Sequence, residues 1–265
     1  MRQLGIVFAL LAAPGCILLL APVNAHAQAQ WGQLKGKIIF KGPLPKQVPL
    51  NFGANPDKNV CSKDKEAFEE NWVVDPKTKG IKDIFVWIRP VGAAKSDPFP
   101  AKSIHPDLAK PAKPTVELDQ PCCRFIPHAL AVREGQQLII KNSASIAHNS
   151  KWDSSNNGNF NPIIPAMGEF KIPKALVAET SIIVVQCSIH PWMNSRIRIF
   201  DNPYYALTDA EGNFEIKNAP VGKFNIFYQH NSNGWVGGVK GRNGYPITIK
   251  EGNNDLGTIE MAENK

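Results

Sequence analysis

The chain has 265 residues, 43% of them hydrophobic and 20% charged, with 20 Gly and 22 Pro. That is too apolar for disorder, too polar for a polytopic membrane protein, and long enough for one large or two roughly 100-residue domains with real cores. Five cysteines are too few for a disulfide scaffold. The formal charge of +7 favours acidic partners or surfaces, while scattered lysines without a helix-turn-helix, zinc-finger or RNA-binding signature argue against nucleic acid.

Residues 1–29 read as a secretory signal: Arg2, an apolar run over 4–23, then Ala25-His26-Ala27-Gln28-Ala29 as the small-residue cleavage pattern. Cleavage near Gln28 or Gln30 predicts an exported chain, periplasmic or otherwise, with no stable membrane insertion afterwards. Loss of Arg2, with no acid removed, takes the charge from +7 to +6. Cys16 does not read as a lipidation site, because Ala13-Pro14-Gly15 lacks the usual aliphatic residue and more apolar sequence follows.

Apolar residues then alternate in short segments, 34–40, 84–88, 130–140, 181–185, 196–200, 214–216 and 224–228. Period two predicts strands. Turn clusters at 153–161, 209–213 and 231–234 separate some of them, and no segment sustains helical periodicity over three turns. The expected class is therefore all-β, built of sandwiches. A Pro/Lys-rich linker over 98–114 and a boundary at Asp201-Asn202-Pro203 divide the chain into three segments.

The middle segment carries the chemistry in Gln186-Cys187-Ser188-Ile189-His190-Pro191-Trp192-Met193 and, upstream, Ala147-His148-Asn149. A thiolate, two imidazoles and a thioether suit copper: the first three form a trigonal set and the thioether is a weak axial donor, between the preferences of Cu(I) and Cu(II). The two-residue gaps let Cys187 and His190 leave one tight loop toward the same ion, with His148 arriving from a neighbouring strand. Zinc would also take Cys and His, but it seldom recruits a thioether, so Met193 argues against it.

These residues resemble the cupredoxins, and most closely the short-loop type of amicyanin, whose ligand loop also reads Cys-x-x-His-x-x-Met. The resemblance runs over about ninety residues, from Cys123-Arg124-Phe125-Ile126-Pro127-His128 through Asn142 and His148-Asn149 to the strand at 195–200. It implies a Greek-key sandwich with one mononuclear type 1 copper held by His148, Cys187 and His190, with Met193 axial. Asn149 would stabilise the ligand loop through hydrogen bonds. The edge of His190 would be the electron exit, set in apolar surface from Pro191 and Trp192 together with Ile163, Pro165 and Met167, for transient redox partners. Gln186 and Ser188 flank Cys187 where multicopper oxidases and copper nitrite reductases carry histidines. The resemblance thus implies an electron carrier and not an enzyme, with a non-redox copper-storage protein or a cell-surface binding module as the alternatives.

The outer segments are similar to a carboxypeptidase-regulatory-like, transthyretin-type sandwich. Gly32 to Ile38 and Ile81 to Ile88 resemble its first strands, and Thr208-Asp209-Ala210-Glu211-Gly212-Asn213-Phe214 with Pro220-Val221-Gly222 its later pair. The expected organisation is 30–112 as the first part of that sandwich, 113–202 as the inserted copper domain and 203–265 as the remainder. The simpler alternative is an N-terminal extension followed by a separate C-terminal module. The arrangement also resembles cupredoxin-domain proteins often labelled methylamine-utilisation proteins.

Cys61 can pair with only one of the adjacent Cys122 and Cys123, and resemblance to proteins with a single cysteine before Arg-Phe-x-Pro-His favours Cys61–Cys123. Cys122 is then the odd thiol. His128 reads as a satisfied structural histidine, with a second metal or redox relay beside Cys123 as the rival. His105 and His230 read as loop or surface residues, residues 153–158 only partly echo a calcium loop, and the glycines from Gly237 to Gly244 read as a turn.

Overall fold

The computed structural model describes residues 31–63 and 67–263, so the signal segment lies outside the described residues. The described chain is nearly all β, and its α-helix is the four-residue turn Lys58–Cys61. No helix among the described residues is long and apolar enough to cross a membrane.

One half joins the two ends of the chain. The strand Trp31–Phe40 lies between Asn213–Pro220, to which it is antiparallel, and Gly252–Met261, to which it is parallel. In the facing sheet, Ile84–Pro90 lies between Tyr205–Leu207 and Gly222–His230, and the last of these also pairs with Gly234–Trp235 and Tyr245–Ile249. Leu34, Ile38, Ile84, Val86, Ile88, Phe214, Ile226 and Tyr228 fill the core between them. Thr208 stitches the ends together: its hydroxyl accepts from Ile84 N at 2.9 Å and donates to Ile81 O at 2.6 Å.

The middle of the chain forms a second sandwich. One sheet runs Ala129–Arg133, Asn194–Phe200, Ile183–Gln186, Lys151–Trp152; the other runs Thr115–Leu118, Gln137–Lys141, Glu169–Lys171. Between them pack Leu118, Val132, Leu138, Ile140, Trp152, Ile183, Val185, Ile197 and Ile199, together with Cys61 and Cys123 from outside the strands. Alternation along each strand supplies these residues.

The two sandwiches meet at a third cluster of Phe85, Trp87, Ala129, Phe200 and Phe227. This explains the unbroken run Ile84-Phe85-Val86-Trp87-Ile88: even positions enter the outer core and odd positions the junction, so both faces are covered.

Three readings of the sequence need correction. The segment 130–140 is two strands, because Glu134-Gly135 makes a turn with Gly135 at φ +85°. The stretch 98–114 is not a free linker: Phe99 enters the outer core, and Ala101–Ser103 and Pro106–Leu108 are 3-10 turns. His230 is not a surface residue but ends a strand, 1% exposed. Its Nδ1 accepts from Ser232 N and Asn233 N, both at 3.0 Å, and Trp72 covers it with ring centroids 4.3 Å apart. Turn hydrogen bonding and an aromatic lid draw the imidazole inward.

Candidate metal centre

The strand Ile183–Gln186 ends at the loop that holds Cys187 and His190, and Asn194–Phe200 carries the chain away antiparallel to it. Cys187 N donates to Met193 O at 3.1 Å and Met193 N to His190 O at 2.9 Å, which closes the stretch from Cys187 to Met193 into a tight turn. His148 sits on the two-residue strand His148–Asn149, paired with Ile163–Ile164. Asn142 fixes that neighbourhood from behind, its amide donating to the carbonyls of Ile146, Ile164 and Pro165 at 2.9 to 3.0 Å.

The fold brings His148, Cys187 and His190 together, with one donor atom of each within 4.8 Å of the others. His148 Nδ1 and His190 Nδ1 are 2.9 Å apart, and Cys187 Sγ is 3.8 Å from His190 Nδ1. The three residues are 0%, 1% and 0% exposed. Burial, and after it the electrostatic influence of the neighbouring His190, pulls the His148 pKa down to about 4, so its imidazole is neutral at neutral pH, as a metal ligand must be. Met193, 1% exposed, shares the core cluster of Cys187. One sulfur and two imidazole nitrogens, buried and converging, form a soft donor set that fits copper. It is the one such group among the described residues.

Asn149 organises the ligand loop. Its Oδ1 accepts from Ser188 N at 2.8 Å and Ile189 N at 3.2 Å, and from Cys187 Sγ at 3.3 Å. Its amide donates to Asn161 Oδ1 at 2.6 Å.

Cys61 and Cys123 are bonded as a disulfide, and Cys122 is a free, exposed thiol. With its sulfur in that bond, Cys123 offers no thiolate to a second centre beside His128. His128 is buried, with Nδ1 3.2 Å from Asn194 O and 3.5 Å from Glu70 Oε2.

The surroundings of His190 differ from the sequence reading, which expects its edge at the surface. His190 is fully covered, with Nε2 3.0 Å from Asp57 Oδ2. Pro191 is exposed, but Trp192 is only half so: its indole N–H donates to Cys123 O at 3.2 Å, and its ring meets Phe52 edge-on at 4.9 Å. A segment around residues 52–61, joined to the middle sandwich through the Cys61–Cys123 disulfide, lies over the ligand loop and shields this edge. Sequence reasoning missed Asp57, which sits in a polar stretch with no periodicity and meets His190 across 133 positions. Ile163 and Met167, 72% and 77% exposed, do stand outward.

No family model matches the chain, and no curated protein matches it. Among solved structures it is similar to a purple cupredoxin from Nitrosopumilus maritimus, at 19% identity over 31% of this chain and 97% of that one, with a TM-score of 0.26. A copper-containing nitrite reductase from Thermus scotoductus matches at 21% identity over 32% of this chain and 22% of that one, with a TM-score of 0.29. A reduced Cu(I) amicyanin variant matches at 16% identity over 43% of this chain and 97% of that one, also with a TM-score of 0.29.

Proposed function

We propose that this chain is an exported type 1 (blue) copper protein that shuttles single electrons between periplasmic redox partners. The observation that carries the reading is the convergence of His148 Nδ1, His190 Nδ1 and Cys187 Sγ in a buried site beside Met193. His148, Cys187 and His190 would hold the ion, and Met193 would add a thioether. Bound copper supplies a one-electron couple between Cu(II) and Cu(I). The chain holds its donors in place: Asn149 pins the loop, the backbone bonds of Met193 close it, and the sandwich core fixes the strands on either side. Donors held this firmly move little when an electron arrives or leaves, which favours rapid transfer.

Carriage fits better than catalysis because none of the three donor residues is more than 1% exposed, so no substrate has an open approach to them. A partner would approach over the exposed Ile163, Pro165 and Met167, on and just after the strand paired with His148–Asn149, because the 52–61 segment shields the side of His190. A small apolar contact suits a complex that must release quickly, and the basic charge favours an acidic partner.

The test is a visible absorption and spin-resonance spectrum of the copper-loaded exported protein, repeated after ascorbate and then ferricyanide. An intense thiolate-to-copper band that bleaches and returns is expected. A colourless protein with stoichiometric copper would replace this reading with Cu(I) storage, and a protein that binds no copper would leave the sandwich as a scaffold.

A further inference from the structure

Asp57 belongs to the connection between the first two strands of the outer sandwich, yet its carboxylate touches the ligand loop of the other sandwich. Four contacts hold it there. Asn55 Oδ1 accepts from Asp57 N at 2.9 Å, and Asn55 Nδ2 donates to Ile189 O, the residue before His190, also at 2.9 Å. Phe52 packs edge-on against Trp192 at 4.9 Å, and Cys61, at the end of the short helix that Asp57 caps, is bonded to Cys123. The carboxylate that results is 32% exposed on its outer side, while the imidazole beneath it is fully buried.

The chemistry of the imidazole gives this contact a direction. His190 turns Nδ1 toward His148 Nδ1 and Nε2 toward Asp57 Oδ2. A nitrogen that offers its lone pair to a metal cannot carry the proton, so with Nδ1 given to the site the proton would sit on Nε2 and that N–H would donate to the carboxylate. A carboxylate behind a metal-bound imidazole selects the tautomer, fixes the ring plane and makes the ring a stronger donor. Its negative charge also favours the more positive of two oxidation states, and burial of the imidazole limits screening of that effect by water.

We propose that Asp57 is a positioning residue for His190. It holds the proton on Nε2, orients the ring and lowers the reduction potential of the copper centre. The 52–61 strap is the device that carries this carboxylate to the edge of the site. The inference rests on the copper reading for its effect on potential, but the tautomer of His190 can be read without metal.

The experiment compares full-length exported protein with Asp57→Asn, Asp57→Ala and Lys58→Ala, the last an exposed position on the same strap. In metal-free protein, long-range proton–nitrogen spectra report which nitrogen of His190 carries the proton. With copper, chelator competition gives Cu(II) affinity and spectroelectrochemical titration gives the midpoint potential. Asp57→Ala should weaken Cu(II) binding about 10- to 100-fold, raise the potential and mix the His190 tautomers. Asp57→Asn keeps an acceptor but loses the charge, so it should preserve the tautomer while still raising the potential; it also tests the charge should the alanine variant not fold. Lys58→Ala should match the parent. A blue parent whose potential and His190 signals are unchanged in both Asp57 variants would overturn the positioning role and leave the copper reading intact. A parent without the thiolate band would overturn the copper reading and with it the effect on potential, while unchanged nitrogen signals in Asp57→Ala would separately refute the hold on the tautomer.

Discussion

Arg198 lies over the indole of Trp87, its guanidinium 4.0 Å from the ring centroid, and the two residues come from different sandwiches. Arg198 is 7% exposed, and its Nη1 donates to Gln229 Oε1 at 3.0 Å, also across the junction. Burial, and after it the positive charge of Arg89, lowers its pKa to about 9 against the opposing charge of Asp201. The stacking and the hydrogen bond therefore act as a clasp between the two cores.

Arg198→Ala should cost about 2 kcal/mol and separate the unfolding of the two halves into distinguishable steps in urea. Arg198→Met, which keeps an apolar stem against Trp87, should lose less. An alanine variant with one transition at the parent's midpoint would show that the clasp contributes nothing.

Gly80 and the turn at Gly212 press backbone against backbone where the two ends of the chain meet. A Cβ on Gly80 would lie 1.9 Å from Glu211 O, and the carbonyl oxygen of Gly212, a residue at φ +81°, accepts from Ile38 N at 2.8 Å. No side-chain rotation can relieve a clash with main chain. Gly80→Ala should destabilise the protein by about 3 kcal/mol, measured by thermal or urea unfolding. Gly92→Ala is the contrasting case: nothing lies within 4 Å of its Cβ, and its cost should come from φ +81° alone.

Two buried groups give stability opposite slopes with pH. Burial raises the Asp83 pKa to about 6, with Lys82 opposing and Glu70 adding to the shift. Between the unfolded value near 3.8 and about 6 the folded state holds the extra proton, so stability falls as pH rises through that window. Asp83→Asn tolerates the left-handed backbone at φ +65° and should gain up to about 3 kcal/mol at pH 8 but little below pH 4. Burial, aided by the charges of His128 and Arg196, lowers the His230 pKa to about 3. Here the unfolded state binds the extra proton below about 6.5, so stability falls as pH drops toward 3, by on the order of 5 kcal/mol. His230→Asn should flatten that acid limb. Urea midpoints across pH 3 to 8 measure both, and a gain in Asp83→Asn that does not change with pH would remove charge burial as its cause.

If the site holds copper as proposed, Cys187→Ser should abolish the visible band, and retained colour would overturn the ligand assignment. Met193→Gln should change the potential without abolishing copper binding, because a thioether there would be a weak donor that tunes the couple more than it holds the ion. Absorption spectra and redox titration check the pair of variants together.

The strongest readings from sequence are those in which chemistry and spacing are local. Cys187, His190 and Met193 share one short loop, and the hydrogen bonds that close it also lie within the loop. The pairing of Cys61 with Cys123 was open to a resemblance because only two adjacent cysteines competed. Asp57 was invisible for the opposite reason. Its partner lies 133 positions away, and a polar turn looks the same whether it faces water or a buried histidine. His230 reads as surface from sequence because polar residues at strand ends resemble surface, and the Trp72 ring that covers it comes from another segment. The break at Gly135 was legible in Glu134-Gly135, but the apolar alternation on either side hid it.

The strand Trp31–Phe40 has a further consequence in time. It is the middle strand of its sheet, and both neighbours, Asn213–Pro220 and Gly252–Met261, come from the last quarter of the chain. A polypeptide that emerges from its N-terminus holds this strand without either sheet neighbour, apart from the bonds of its end to residues 79–81, while the middle sandwich can already close. The outer sandwich is then zipped shut by Gly252–Met261. A chain that ends before Gly252 would leave one side of Trp31–Phe40 open, a row of unpaired amides and carbonyls ready to template a second copy.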